Sequence, residues 1–297
     1  MLRPALIPVL LRETLGPRHL VRQCEPDRVM EDPAQVRDYA HAGRIDGVMA
    51  ASYLFHSAHL SATLAGARQV LDLACGPATQ LAQVARLNPD TRFLGVDLSA
   101  PMLDVARAHA RAQRLDNLDF EVADITDLRT VPTASQDAVV STMALHHLPT
   151  SDHLAACLAE VARVLCPGGA VYLCDFGRLK SLASVRTVAW MNAVHQPRRF
   201  SQDFEDSLRA AFLKEDFAEL SRRLLPTDVR LHSTFGVPLL VLLKTPYRGL
   251  SPRQLATLSQ WRQGLAPAWR RDLDALRRFM ALGGLRPDPF AAPGRGH

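Results

Sequence analysis

The sequence predicts an α/β fold built on a doubly wound, mostly parallel sheet. Between residues 66 and 176, short apolar runs alternate with helical patterns. Such alternation implies parallel strands with helices on both faces. Three of the runs carry an acid at or near their carboxyl ends, Asp72, Asp97 and Asp124, where ligands bind in open sheets of this kind. Two further runs, 228–234 and 237–243, are joined through Gly236-Val237-Pro238 and bring the expected strands to seven.

The stretch Val70-Leu71-Asp72-Leu73-Ala74-Cys75-Gly76-Pro77-Ala78-Thr79 organises the rest. Its apolar start reads as a buried strand and its small residues as a tight turn. From Thr79, Leu81, Val84 and Leu87 recur at helical spacing. Gly76 can take a conformation that a side chain would forbid, and the helix start offers unpaired N–H groups. Arg92-Phe93-Leu94-Gly95-Val96-Asp97 is the second run. Its acid lies 25 positions after Asp72 (97 − 72), placed to accept hydrogen bonds from ribose hydroxyls. The dinucleotide fingerprint G-x-G-x-x-G is absent, since Ala74, Gly76 and Thr79 stand at its three glycine positions. A nucleoside ligand therefore fits better than a dinucleotide.

Strands are expected near 69–74, 92–97, 118–123, 136–141 and 170–175, with helices near 79–88, 100–113 and 151–165. Residues 1–30, broken by Pro4, Pro8, Pro17 and Pro26, are expected to be irregular. Asp32-Pro33 resembles a helix cap followed by proline at the first position. A longer helix is expected over 44–64, with Ile45, Met49, Tyr53 and His56 near one face. Residues 177–225 interrupt the alternation and carry Trp190, Met191, His195, Arg198 and Arg199, then a helical stretch over 207–225. The chain thus divides into an N-terminal segment with cap helices (1–65), a main domain (66–245) with an insertion at 177–225, and a helical tail (246–297). The tail has two apolar stripes, Leu255-Leu258-Trp261-Leu265 and Trp269-Leu273-Leu276-Met280.

Of the formal net charge of +5, residues 245–297 supply +6, from nine Arg against three Asp. A basic tail of this kind suits packing on the domain or a second subunit as a homodimer, or contact with a membrane surface or nucleic acid. No apolar run approaches the roughly 20 residues of a membrane span. The apolar 5–11 segment is short, contains Pro8 and lacks a cleavage pattern. The five cysteines are odd in number and none is in C-x-x-C spacing, so reduced thiols in a cytoplasm are expected and neither a disulfide framework nor a metal constellation is visible.

The stretch 70–79, with Asp97-Leu98-Ser99 and Met102-Leu103, resembles the cofactor site of class I S-adenosylmethionine-dependent methyltransferases, most closely their small-molecule, ubiquinone/menaquinone C-methyltransferase-like branch. Phe120-Glu121-Val122-Ala123-Asp124, Asp137-Ala138-Val139-Val140-Ser141 with Leu145-His146-His147-Leu148, and Leu165-Cys166-Pro167-Gly168-Gly169 follow in the family's order. The resemblance covers about residues 66–245 and departs at Ala74 and Ala78, where the family usually has glycine. It implies a Rossmann-like seven-stranded sheet with N-terminal helices, a helical lid insertion and a C-terminal helical extension. It also implies S-adenosyl-L-methionine as cofactor. Asp97 would hold the ribose, Asp124 the adenine amino group, and Leu98, Met102 and Ile125 the adenine face. Gly76 would let the backbone approach the methionine portion, Asp72 would help orient its ammonium end, and Ala74 and Thr142 are further cofactor-binding candidates. Tyr53, His147, Asp175 and His195 are the candidates for the acceptor side, with His147 and His195 the nameable proton acceptors.

Three function classes follow. A methyltransferase acting on a small-molecule acceptor leads. A nucleic-acid methyltransferase would draw on the basic tail, but Ser141-Thr142-Met143-Ala144 is not the Asn/Asp-Pro-Pro-aromatic motif of base amino-methylating enzymes. A cofactor-binding protein without catalysis is the third. No residue is assigned to catalysis from the sequence.

Overall fold

The computed structural model describes residues 6–25, 32 and 47–291. The seven strands β1 (Gln69–Leu73), β2 (Arg92–Asp97), β3 (Leu118–Val122), β4 (Gln136–Thr142), β5 (Leu165–Phe176), β6 (Arg230–Ser233) and β7 (Leu240–Lys244) form one sheet. Their order is β3-β2-β1-β4-β5-β7-β6. The first five are parallel, and β7 runs antiparallel to both β5 and β6. The chain moves outward from β1 to β3, returns to β4 beside β1, and moves outward the other way. The reversal between β1 and β4 opens a cleft at their carboxyl ends.

Alternation within the strands explains why the sheet is covered on both sides. Val70, Val140, Tyr172, Cys174 and Leu242 join one core, while Leu71, Leu73, Val139, Val171, Leu173 and Leu243 join the other. Neighbouring side chains on a strand point to opposite faces, so a sheet buried on both must be apolar at nearly every position. The first core is completed by α2 (Ala50–Leu64) and α3 (Thr79–Leu87), with Ala106 of α4 (Ala100–Ala112). The second is completed by α5 (Ser151–Val164), whose Leu154, Leu158 and Val161 recur at helical spacing.

Several boundaries differ from the sequence expectation for identifiable reasons. Residues 6–15 are helical, not irregular: α1 spans Leu6–Leu15. Pro8 is its third residue, where the missing N–H has no intrahelical partner to lose. Pro33, Arg44 and Ile45 lie outside the described residues. The β5 pairing begins at Leu165 rather than 170, because Leu165 pairs with Gln136 before a register shift brings Ala170 opposite Ala138. Cys166-Pro167-Gly168-Gly169 is that irregularity. The stretch expected as one helix over 207–225 belongs to two, α7 (Arg198–Ala210) and α8 (Lys214–Leu224). The break buries Phe212 and caps α8, whose Asp216 carboxylate accepts the Leu213 N–H at 2.8 Å. α6 (Leu182–Trp190) packs against α7 and α1, whereas α8 packs beside α5 in the second core.

Residues 18–25 form a strap across these elements. The N–H groups of His19 and Leu20 reach the Lys180 carbonyl, and Gln23 N–H reaches that of Arg209. Arg22 lies over the Phe212 ring and donates to the carbonyls of Ala210, His146, Leu148 and Pro149. One guanidinium thus ties the loop after β4 to the end of α7, with partners for donors that would be costly if left bare.

The tail folds back onto the first core through α9 (Pro252–Gly264) and α10 (Pro267–Leu282), both of which contact α2. Leu258, Leu265, Trp269, Leu273 and Met280 are buried there. Among the described residues, no helix is long and apolar enough to cross a membrane. All five cysteines are free. Because Leu273 has no exposed surface, Leu273→Ala should destabilise the whole domain by about 2–5 kcal/mol. Leu282, exposed at 63%, should tolerate the same change within about 0.5 kcal/mol. Chemical denaturation of both variants checks this, and equal effects would mean the tail does not share the core.

Candidate cofactor and acceptor site

The turn after β1 is shaped by three residues in the left-handed region, Ala74 (φ 53°), Gly76 (φ 54°) and Ala78 (φ 53°). Cys75 N–H bonds the Val96 carbonyl at 2.9 Å, and Ala78 N–H bonds that of Cys75 at 3.0 Å. The turn is therefore held against the end of β2. Gly95 permits this approach, since a Cβ there would stand 2.8 Å from Cys75 Sγ. At Gly76 a Cβ would meet nothing within 4 Å, which leaves its backbone open to a ligand.

Asp97 links the two turns. Its Oδ2 accepts the Gly76 N–H and its Oδ1 the Ser99 N–H, both at 2.8 Å. Each carboxylate oxygen has a second lone pair, available to hydroxyl donors from the cleft. Burial raises the Asp97 pKa, against the backbone N–H bonds from Ser99 and Gly76, which lower it. Asp124, past β3, accepts the N–H and hydroxyl of Thr126 at 2.8 and 2.7 Å. Asp72 reaches the cleft with part of its surface. Burial, and then the charge of Asp97, push its carboxyl up to about 8.

These elements enclose one cleft with about 1160 Å³ of space, part of it open solvent. All nine residues expected around the cofactor line it: Asp72, Ala74, Gly76, Asp97, Leu98, Met102, Asp124, Ile125 and Thr142. On the acceptor side, Tyr53 and His147 line it as well. Asp175 and His195 do not. Asp175 is buried below the loop after β4, where its Oδ2 accepts the His146 N–H and its Oδ1 faces His146 Nδ1, both at 2.7 Å. His195 is exposed and packs edge-on to Trp269 of the tail.

Further residues line the cleft or stand behind its wall. Gln80 lines the cleft, accepts the Thr142 hydroxyl at 2.6 Å, and leaves its buried amide Nε2 without a partner. Its position in the first turn of α3, directly after the organising stretch, is a signal the sequence contained. Met143, itself left-handed (φ 56°), and Leu148 add apolar wall. Glu25 could not have been found from sequence spacing. Its carboxylate faces His147 Nδ1 at 2.7 Å and His146 Nε2 at 3.6 Å, and accepts the Ser207 hydroxyl at 2.6 Å. Burial alone would raise the Glu25 pKa, but His147, His146 and Ser207 together bring it down to about 2. Burial likewise disfavours a charged His146, yet Asp175 and Glu25 overcome it and raise the pKa.

The donor set suits S-adenosylmethionine. It offers carboxylates with free lone pairs for ribose hydroxyls and for an ammonium group, an unpartnered amide donor for a carboxylate, and an open backbone at Gly76. The fold and this site are similar to those of class I S-adenosylmethionine-dependent methyltransferases, and the family matched here implies S-adenosylmethionine as cofactor. Residues 70–169 match the family described as "Methyltransferase domain". The chain is similar to a trans-aconitate 2-methyltransferase of Deinococcus radiodurans, 45% identical over 101 residues, which is 34% of this chain and 35% of that protein. It is also similar to the 27-O-demethylrifamycin SV methyltransferase of Amycolatopsis mediterranei, 35% identical over 124 residues, 41% of this chain and 43% of that one. The chain thus spans less than half the length of these curated relatives. Among solved structures, an O-methyltransferase family protein from Burkholderia thailandensis shares the fold, with a TM-score of 0.54 at 21% identity over 73% of this chain and 61% of that one.

Two expectations follow from the geometry. An L-residue in the left-handed region costs about 1–2 kcal/mol, partly offset by the greater freedom of glycine when unfolded. Ala74→Gly should therefore raise stability by up to about 1 kcal/mol, read from denaturation, and a loss would mean that the Ala74 methyl packs usefully. The second concerns Asp72 in the ligand-free protein. Its folded pKa of about 8 lies above the unfolded value of about 3.9, so the folded state holds the extra proton. That contribution is fully present below about pH 4 and is lost as pH rises through about 8. Asp72→Asn, neutral throughout, should gain stability relative to the wild type between about pH 5 and 9. Thermal melts across that range test this, and a difference that does not change with pH would overturn it.

Proposed function

We propose that this chain transfers a methyl group from S-adenosylmethionine to a small-molecule acceptor. The observation that carries this reading is the cleft between β1 and β4, where Asp97, Asp124 and the open backbone of Gly76 converge. Asp97 would accept the ribose hydroxyls, and Asp124 the adenine amino group between Leu98, Met102 and Ile125. Asp72 would face the ammonium end, and Gln80 Nε2 would donate to the carboxylate. When bound, the cofactor supplies an electrophilic sulfonium methyl for in-line displacement.

The contribution of the chain is positioning and a dry wall. Orientation of two reactants can supply ~7–11 kcal/mol of a barrier, and Tyr53, Met143, Leu148 and His147 border the remaining space for the acceptor. The two relatives are named for small-molecule acceptors, trans-aconitate and a demethylrifamycin, which favours this class. The ordered motifs from 70–79 to 165–169 support placement near the ubiquinone/menaquinone C-methyltransferase-like branch. In the tail, Arg262 and Arg277 pair with Asp274 at 2.8 Å, and Arg277 also pairs with Asp288. This internal pairing favours packing over contact with nucleic acid or a membrane surface.

Asp97→Ala should weaken S-adenosylmethionine binding by roughly tenfold to several hundredfold, from the loss of charge-assisted hydrogen bonds of ~1.5–3 kcal/mol each. Calorimetry measures it, and unchanged affinity would place the cofactor elsewhere. Incubation of the protein with methyl-labelled cofactor and a metabolite extract should yield labelled small molecules by mass spectrometry. Label found only in nucleic acid would overturn the acceptor class.

A further inference from the structure

Beneath the acceptor side of the cleft, side chains from two distant parts of the chain meet. Glu25 comes from the strap, and His146 and His147 from the short 3-10 turn Leu145–His147. One ligating atom of each lies within 4.8 Å of the others. His146 is 2% exposed, and its Nε2 has no hydrogen-bond partner. His147 Nδ1 is also buried and makes no well-formed hydrogen bond, although Glu25 Oε2 is 2.7 Å away. Two buried imidazole nitrogens thus turn toward one carboxylate without a hydrogen bond of good geometry.

We propose that Glu25, His146 and His147 form a binding site for a divalent cation of the zinc type. Two imidazoles and a carboxylate are a donor set that Zn²⁺ accepts, with bonds of ~2.0–2.2 Å and a fourth position left open. Tetrahedral ligand atoms at such bond lengths stand roughly 3.3 Å apart. The present separations of Glu25 from the two histidines, 2.7 and 3.6 Å, bracket that figure, so small side-chain movements would admit the ion.

The surroundings are those of a supported site. Asp175 faces His146 Nδ1 at 2.7 Å and accepts its backbone N–H. A proton held on Nδ1 fixes the tautomer that leaves an Nε2 lone pair, the usual carboxylate–histidine–metal arrangement. The Ser207 hydroxyl steadies Glu25. The two imidazole rings lie 4.4 Å apart at 33°. The nearby Arg22 guanidinium is committed to backbone carbonyls, including that of His146. His147 also lines the cleft, which provides both a route of entry and a direction for the open position. Cation binding stands whether or not the methyl-transfer reading holds.

The test uses the full chain, treated with a chelator, dialysed, and titrated with ZnCl₂ alone by calorimetry, with CoCl₂ as an optical probe. One equivalent of Zn²⁺ should bind per chain and raise the melting temperature. Cobalt should give the visible bands of a low-coordinate site. Glu25→Gln and His147→Ala should each weaken binding at least tenfold and abolish the melting shift, while Cys24→Ser, an exposed neighbour, should bind as the wild type does. Circular dichroism and chemical denaturation establish that each variant is folded, and His146→Ala is avoided because its imidazole also anchors Asp175. No stoichiometric binding by the folded wild type at micromolar Zn²⁺ would overturn the proposal. So would binding that survives both substitutions, or that Cys24→Ser alone removes.

Discussion

The site depends on one half-buried carboxylate. Asp97 accepts a backbone N–H from the turn after β1 at Gly76 and another from the turn after β2 at Ser99. Without this bridge, the two turns would have to satisfy those donors separately, and the Cys75 N–H bond to the Val96 carbonyl would be left to hold the turn after β1 against β2. The cost is the burial of charge, visible in the raised pKa of Asp97 and in that of Asp72, which its own burial raises first and the charge of Asp97 second. Two acids kept close in a partly dehydrated cleft form a site prepared for hydrogen-bond donors and for positive charge.

Backbone strain follows from the same constraint. Ala74, Gly76 and Ala78 are all left-handed, because the chain must leave β1, pass close to β2 and enter α3 within a few residues. Only glycine takes this conformation at little cost. The two alanines are tolerated because Cys75 N–H and Ala78 N–H are paired and Gly95 gives the Cys75 side chain its space. Strained backbone of this type persists where the surrounding structure over-determines it.

The acceptor side is assembled differently. Its wall is fixed by long-range ties: Arg22 on the carbonyls after β4, Glu25 against His146 and His147, and Asp175 beneath His146. These groups come from residues 22–25, 146–147 and 175, so the strap, the loop after β4 and the end of β5 must all be in place. The cofactor side, by contrast, is built almost wholly from the carboxyl ends of β1 to β4 and the turns that follow them.

That difference decides what could be known beforehand. Strand and helix alternation, the acids at or near strand ends and the small-residue turn follow from local periodicity and backbone permissiveness. The sequence therefore determined the parallel sheet, the position of the cleft, and nine residues from Asp72 to Thr142 that line it. Gln80 was within reach, two residues past the turn. Tertiary structure decided that residues 6–15 are helical, through the packing of α1 on α6, with Pro8 tolerated in the first turn. It also decided that α8 packs in the second core, and that Asp175 and His195 stand outside the cleft. The meeting of Glu25 with His146, 121 residues later in the chain (146 − 25), leaves no periodic trace, because contacts between distant segments are set by packing and not by spacing.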